Sequence, residues 1–227
     1  MSPVYWPSLS FLPSREGSAC LKRILCYDRV GTGFFMSMYL MRHGRTRLHG
    51  TFSGSINPSL SARGRAQAAL SARAISAFPI QRIYSSPQRR AVQTARIVRR
   101  RLPKALLTTN SLLKEIRFGV WEGLRFPEVE RKWPALAKAW AKNPLKVKIP
   151  KGESFTSLRR RVKRFLAENK NDFKSGDILI VAHGGTLSAI AMELLKRPSR
   201  EYPYHLQPTA SIRKISGRMV SWVFKPC

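Results

Sequence analysis

Apolar residues along this chain are grouped in short runs, separated by longer segments of mixed polarity. Short continuous apolar runs are typical of strands that are buried on both faces of a sheet. The clearest run, at 178–182, contains only Ile, Leu, Val and Ala. Together with two stretches near the C-terminus, these runs predict six strands: 38–41, 80–84, 105–108, 178–182, 210–215 and 219–224.

The longer segments have apolar residues at helical spacing, and several begin with residues that favour a helix start. Ser61 is predicted to cap a helix that ends near residue 77, and a strongly basic helix begins at 153 or 154 and ends near 171. Ser85-Ser86-Pro87 predicts a serine N-cap, with proline in the first turn of a helix that continues to about residue 101. Two further helical segments are expected, 126–142 as a candidate lid interrupted by Pro127 and Pro134, and one after residue 185.

Strands that alternate with helices predict an α/β fold, a three-layer sandwich in which a mostly parallel central sheet has helices on both faces. Two of the predicted strands are followed directly by histidine and glycine, at His43-Gly44 and His183-Gly184. Ligands bind past the carboxyl ends of strands in such sheets. We therefore expect His43 and His183 to emerge at the same edge of the sheet, where a ligand would bind.

A length of 227 residues predicts one folded domain, which we place at 37–227. Residues 1–36 are rich in Pro, Ser and Gly, show no sustained period and lack the layout of a signal peptide. We expect them to form a disordered N-terminal extension, or to come from an upstream start codon. No apolar run approaches the roughly 20 residues of a membrane-spanning helix, so no membrane partner is expected.

The cysteines lie outside the central part of the chain, at Cys20, Cys26 and Cys227. This distribution indicates neither a disulfide framework nor a thiol nucleophile, and it favours a reducing compartment. We therefore expect a cytoplasmic protein.

The chain is extremely basic, with a net charge of +30 and no Asp or Glu between Tyr39 and Lys114. Such a chain attracts anions: phosphorylated metabolites, nucleic acid or acidic surfaces. The basic residues are spread along the chain, zinc-finger spacing is missing, and the aromatic residues are not interleaved with basic ones as in platforms for single strands. We therefore interpret most of the charge as a generally basic surface and expect no specific nucleic acid partner.

Arg42 and His43 are the first candidates for chemistry. The planar guanidinium of arginine matches the oxygens of a phosphate, and an imidazole beside it can act as a nucleophile or as a donor to phosphate. Arg-His-Gly also occurs by chance, and a lone histidine is more often structural. The pair indicates chemistry on a phosphate only if other parts of the chain support it.

Four separated motifs give that support. In order along the chain they are Arg42-His43-Gly44, the segment SSPQRRA at 85–91, Glu115 with Trp121-Glu122-Gly123, and Ala182-His183-Gly184-Gly185. Together they closely resemble the histidine phosphatase superfamily, which includes the cofactor-dependent phosphoglycerate mutases. The resemblance extends from Met38 to the C-terminus.

The resemblance implies that His43 is phosphorylated during turnover, that Arg42 and Arg90 bind the transferring phosphoryl group, and that His183 is catalytic and donates to the phosphate. Attack requires a neutral imidazole, so we expect nearby cations to lower the pKa of His43 and a backbone carbonyl to accept from its other ring nitrogen. The alternatives are a solvated helix arginine for Arg90 and a packed core histidine for His183.

Glu115 is the implied proton donor to the leaving oxygen and the base that then activates water, which requires a pKa near neutrality. Glu122 is the rival, and we favour a structural or lid role for it. The resemblance implies that no metal or other cofactor is needed, because arginine and histidine donors take the place of a cation. His49 stands where many members of the family have asparagine, which leaves a secondary phosphate contact in doubt, and Arg45 stands where glutamate or glutamine is common.

The connection from 123 to 152 is shorter than the corresponding part of the mutases, which favours water as the acceptor. Segments 52–54, 60–64 and 151–154 most resemble the branch with α-ribazole phosphatases and broad-specificity phosphatases. The prediction is a phosphomonoester hydrolase acting on a small phosphorylated metabolite, with α-ribazole 5'-phosphate as a candidate. Phosphoglycerate mutase activity and a basic, non-catalytic binding protein on the same scaffold are the alternatives, and the sequence does not predict an oligomeric state.

Overall fold

The computed structural model describes residues 37–198 and 206–226. The predictions for 1–36 and for Cys227 lie outside these residues. The described residues form six strands, which we number in chain order: β1 (Met38–Arg42), β2 (Ile80–Ser85), β3 (Leu106–Thr109), β4 (Asp177–Ala182), β5 (Ile212–Ser216) and β6 (Met219–Phe224).

The strands form one mixed sheet with the order β3-β2-β4-β1-β5-β6. Strand β4 lies between β1 and β2 and pairs with both in parallel, and β2 also pairs in parallel with β3. The closing strands β5 and β6 are antiparallel. The predicted α/β class with a mostly parallel central sheet is therefore confirmed.

The predicted N-cap at Ser61 is confirmed, and the helix predicted to start at 153 or 154 has Ser154 as its N-cap. Ser61 accepts a hydrogen bond from the Gly64 N–H, and Ser154 accepts one from the Ser157 N–H. The described helices are α1 (Ala62–Ile75), α2 (Arg89–Arg99), α3 (Phe126–Lys132), α4 (Pro134–Lys142), α5 (Phe155–Glu168), α6 (Asp172–Ser175) and α7 (Gly184–Leu195).

The predicted start of α2 is wrong. The helix begins at Arg89 with Gln88 in the N-cap position, and the Gln88 side chain makes no capping hydrogen bond. The Arg89 N–H donates instead to the Asn57 side-chain oxygen at 2.6 Å. Ser86 is fully buried, and its hydroxyl oxygen lies 2.8 Å from a ring nitrogen of His183. The serine therefore serves a tertiary contact rather than the helix start.

The predicted helical segment 126–142 is two helices. Pro127 and Pro134 each lie in a first turn, where a missing N–H costs nothing, so both prolines mark helix starts. Helices α3 and α4 pack around Trp121 and Trp140 in an apolar cluster of their own.

Alternate residues of the central strands face the two helical layers, as expected for strands buried on both faces. Leu40 and Ile180 contact the core under α5 and α7, while Met41 and Val181 contact the core under α1 and α2. None of the helices within 37–198 and 206–226 is long and apolar enough to cross a membrane.

Candidate active site

The register of the sheet brings the two predicted histidines together. Arg42 at the end of β1 pairs in parallel with Ala182 at the end of β4, so the next residues, His43 and His183, leave the sheet side by side. The His43 N–H donates to the Ala182 carbonyl oxygen at 3.0 Å. The ring centroids of His43 and His183 are 5.0 Å apart.

The His43 ring is held in one tautomer by its own loop. Its Nδ1 lies 2.7 Å from the Gly44 carbonyl oxygen. A carbonyl oxygen can only accept, so Nδ1 has the proton and Nε2 keeps its lone pair. The expected hydrogen bond from the second ring nitrogen to a backbone carbonyl is present.

Arg90 joins both histidines. Its Nε is 3.2 Å from His43 Nε2 and also 3.2 Å from His183 Nδ1. Its two terminal nitrogens donate to the carbonyl oxygens of Ile56 at 2.7 Å and Gly54 at 3.1 Å. The side chain is 1% exposed, which excludes the alternative of a solvated helix arginine.

His183 is completely buried, and Ser86 sets its tautomer together with Arg90. Because Arg90 donates to Nδ1, the proton of the neutral ring lies on Nε2, which is 2.8 Å from the Ser86 hydroxyl oxygen. His183 is therefore as buried as the alternative of a packed core histidine requires. Its ring nevertheless contacts the ring of His43 and so belongs to the site.

Burial is the main cause that lowers the pKa of His43 well below its usual value, and the charges of Arg90 and Arg42 lower it further. Burial and the Arg90 charge act in the same direction on the pKa of His183. Both rings are therefore neutral at pH 7. Burial also lowers the pKa of Arg90 to about 10, partly opposed by Glu115, so the guanidinium keeps its charge.

Arg42 is the last residue of β1 and directly precedes His43. Its Nη1 donates to the Gln207 carbonyl oxygen at 2.6 Å. Its guanidinium carbon would be 3.5 Å from a Cβ placed on Gly184, the first residue of α7. The arginine is thereby held over the N-terminus of that helix.

Glu115 joins the site through α7. Its carboxylate accepts hydrogen bonds from the N–H groups of Gly185 and Thr186, both at 3.1 Å. Its own N–H donates to the side-chain oxygen of Gln88 at 2.9 Å. These bonds place the carboxylate beside the residues that follow His183.

Glu122 has a different environment. Its carboxylate accepts from the N–H groups of Ser55 at 2.8 Å and Phe118 at 3.0 Å, and from the Ser55 hydroxyl. Both oxygens are therefore used to hold the loop after β1 against the segment that precedes α3.

The sequence analysis did not recognise three residues that position this site. Ser86 contacts His183; Gln88 is buried and links the Gly54 carbonyl oxygen to the Glu115 N–H. Thr94 accepts from the Gly44 N–H at 3.1 Å. For Ser86 and Gln88 the signal available was the polar stretch that directly follows the predicted strand at 80–84, whereas Thr94 lies further on, within the helix.

Comparison with known proteins agrees with this geometry. Residues 38–225 match the family model of the histidine phosphatase superfamily (branch 1). The chain is 32% identical over 162 residues to phosphoserine phosphatase 1 of Hydrogenobacter thermophilus, covering 70% of this chain and 76% of that protein. It is 30% identical over 168 residues to the adenosylcobalamin/α-ribazole phosphatase of Salmonella typhimurium, covering 72% of this chain and 82% of that protein.

Among solved structures, the mycobacterial glucosyl-3-phosphoglycerate phosphatase in complex with inorganic phosphate superposes with a TM-score of 0.72 at 26% identity. The match covers 82% of this chain and 94% of that one. The sequence match along residues 38–225 and the shared fold lead to one conclusion: this chain belongs to the histidine phosphatase superfamily and is a phosphatase.

Proposed function

We propose that this protein hydrolyses phosphomonoesters of small metabolites through a phosphohistidine intermediate on His43. The observation that supports this most strongly is the position of Arg90 Nε, 3.2 Å from a ring nitrogen of each histidine. A buried cation between two neutral imidazoles is a suitable site for a tetrahedral anion.

In the first proposed step, the lone pair of His43 Nε2 attacks phosphorus and the bond from phosphorus to the leaving oxygen breaks. Glu115 gives its proton to that oxygen, so the alcohol leaves uncharged. The oxygens of the incoming phosphoryl group accept from Arg90 Nε, which frees the His43 lone pair. Arg42 and Arg90 then donate to the phosphoryl oxygens as charge shifts toward the leaving group. His183 donates from Nδ1 in its other neutral tautomer, in which Nε2 accepts from the Ser86 hydroxyl.

In the second step, Glu115 takes a proton from water, and the water oxygen attacks phosphorus. The bond from phosphorus to His43 Nε2 breaks, and inorganic phosphate leaves. Throughout both steps, Nδ1 keeps its proton and its hydrogen bond to the Gly44 carbonyl oxygen, so the ring keeps its orientation. Each turnover therefore regenerates neutral His43 and protonated Glu115.

The test is hydrolysis of p-nitrophenyl phosphate by the wild type and His43→Ala. We expect the variant to lose about a thousandfold or more in kcat, because no nucleophile remains. Arg96→Ala, which changes an exposed arginine of α2, is the control and should keep the wild-type rate. Activity that survives in a folded His43→Ala protein would contradict the nucleophile assignment, and an inactive wild type would favour the non-catalytic binding protein.

For the physiological substrate, the names of the relatives suggest phosphoserine, α-ribazole 5'-phosphate and glucosyl-3-phosphoglycerate.

Incubation with 3-phosphoglycerate and its bisphosphate distinguishes phosphatase activity from the alternative of a phosphoglycerate mutase. Release of inorganic phosphate supports water as the acceptor, whereas formation of 2-phosphoglycerate would show transfer between hydroxyl groups.

A further inference from the structure

A cavity of about 550 Å³ lies beside Glu115. Its volume falls within the roughly 300–1,000 Å³ that is typical of small-molecule sites. Glu115 belongs both to the lining of this cavity and to the site around the histidines. If Glu115 protonates the leaving oxygen, the leaving alcohol of the substrate occupies this cavity.

The side chains that line the cavity are polar or charged, apart from Pro87. The residues that line it include Ser111, Lys114, Glu115, Arg117, Glu153 and Arg161, and none of the described lining residues is aromatic. A nucleoside or another flat apolar group would find no ring to stack on here. The lining instead suits a small, polar leaving group.

Glu153 and Arg161 neutralise each other. Arg161 Nε and Nη2 lie 2.8 Å and 3.1 Å from the two Glu153 oxygens, and Nη1 donates to the Leu112 carbonyl oxygen at 2.6 Å. All three nitrogens of this guanidinium have partners. The pair therefore forms a fixed wall and does not offer a net charge to a ligand.

Lys114 and Arg117 differ from that pair. Both are exposed, both line the cavity, and neither forms an ion pair with a carboxylate of the described residues. Their backbones are fixed: the Lys114 carbonyl oxygen accepts from the Thr186 hydroxyl at 2.7 Å, and the Arg117 carbonyl oxygen accepts from the Glu153 N–H at 2.8 Å. Two cations on an ordered backbone thus flank Glu115 in the chain.

We propose that Lys114 and Arg117 bind a carboxylate on the leaving alcohol, so that the protein selects phosphomonoesters of small hydroxy acids. This inference rests on the proposed phosphatase function. A carboxylate accepts from both a planar guanidinium and an ammonium, and its charge is opposite to the charge that these two residues bring into the cavity.

The test compares two substrates, 3-phosphoglycerate and glycerol 3-phosphate, which differ in having a carboxylate or a hydroxymethyl group at the same position. We expect the wild type to prefer 3-phosphoglycerate by about tenfold or more in kcat/KM, mainly through KM. The double variant Lys114→Ala/Arg117→Ala should lose that preference, because its KM rises much more for 3-phosphoglycerate than for glycerol 3-phosphate. The single variant Arg117→Lys keeps a cation at this position and should therefore retain part of the preference for 3-phosphoglycerate.

Lys138→Ala, on the exposed side of α4 and outside the cavity lining, is the matched control and should keep the full preference. p-Nitrophenyl phosphate measures turnover independently of the carboxylate. The wild type could hydrolyse p-nitrophenyl phosphate and show equal kcat/KM for 3-phosphoglycerate and glycerol 3-phosphate. That result would overturn the carboxylate subsite and leave the phosphatase function intact. A wild type inactive on all three compounds would overturn both proposals.

Discussion

Two buried, neutral histidines make the folded state sensitive to acid at the residue scale. In the folded protein, burial holds the pKa values of His43 and His183 well below 6.5, whereas both rings titrate near that value in the unfolded chain. Below pH 6.5 the unfolded state therefore binds more protons than the folded state. Stability is complete above that pH and is lost as the pH falls from 6.5 toward the lowered values.

We expect the free energy of unfolding to fall by about 1.4 kcal/mol per pH unit for each of these histidines as the pH drops below 6.5. Denaturant unfolding between pH 7 and pH 5 measures this slope. His43→Gln removes one titrating ring, so its slope should be shallower than that of the wild type. Equal slopes would mean that the His43 ring is not held neutral in the folded protein.

At the scale of elements, the glycine of the Arg-His-Gly motif has a packing role. A Cβ on Gly44 would overlap the carbonyl oxygen of Gly64 in α1, which is backbone and cannot rotate away. The loop after β1 therefore approaches α1 directly, and the Gly44 N–H also donates to Thr94 of α2 at 3.1 Å. This contact fixes the loop that presents His43.

We expect Gly44→Ala to destabilise the protein by about 1–3 kcal/mol or more, because helix α1 has to shift to admit the methyl group. Gly184→Ala is a matched control: a Cβ there meets Arg42 and Leu206 only at ordinary contact distances, 3.5–3.6 Å. Thermal or denaturant unfolding of both variants measures the difference. Equal stability of the two would show that the loop and α1 have more freedom than this packing allows.

Across the whole molecule, charge is distributed unequally over the two faces of the sheet. The segment without Asp or Glu, from Tyr39 to Lys114, forms β1 to β3 with helices α1 and α2. On the opposite face, basic residues of α5 have acidic partners, as in Arg159 with Glu193 and Arg164 with Glu168. Helices α1 and α2 therefore contribute basic residues and no carboxylate to their face of the sheet.

A net charge of +30 should draw anionic substrates toward the site. We expect kcat/KM for p-nitrophenyl phosphate to fall severalfold as ionic strength rises from about 0.01 M to 0.1 M, where the screening length drops from about 30 Å to 10 Å. At saturating substrate, kcat should change little. Two salts with different anions separate screening from competition at the site, and a kcat/KM independent of both would contradict this prediction.

The local pattern of the chain was sufficient to predict the α/β class, the serine cap at Ser61, the start of the basic helix at 153 or 154, and the shared edge for His43 and His183. Each of these follows from short-range physics: apolar runs form buried strands, serine satisfies free N–H groups, and parallel strands end on one side. The four motifs added Arg90 and Glu115 through their resemblance to a family.

Other features of the site could not be predicted from local patterns, because their partners are distant in sequence. Ser86 was assigned to a helix cap since capping is its usual local role, yet folding places its hydroxyl against His183, 97 residues away. The same holds for the cavity beside Glu115, whose lining brings Asn57, Glu115 and Arg161 together from distant parts of the chain. Such contacts depend on how the layers of the fold meet, and that is settled by packing of the whole chain.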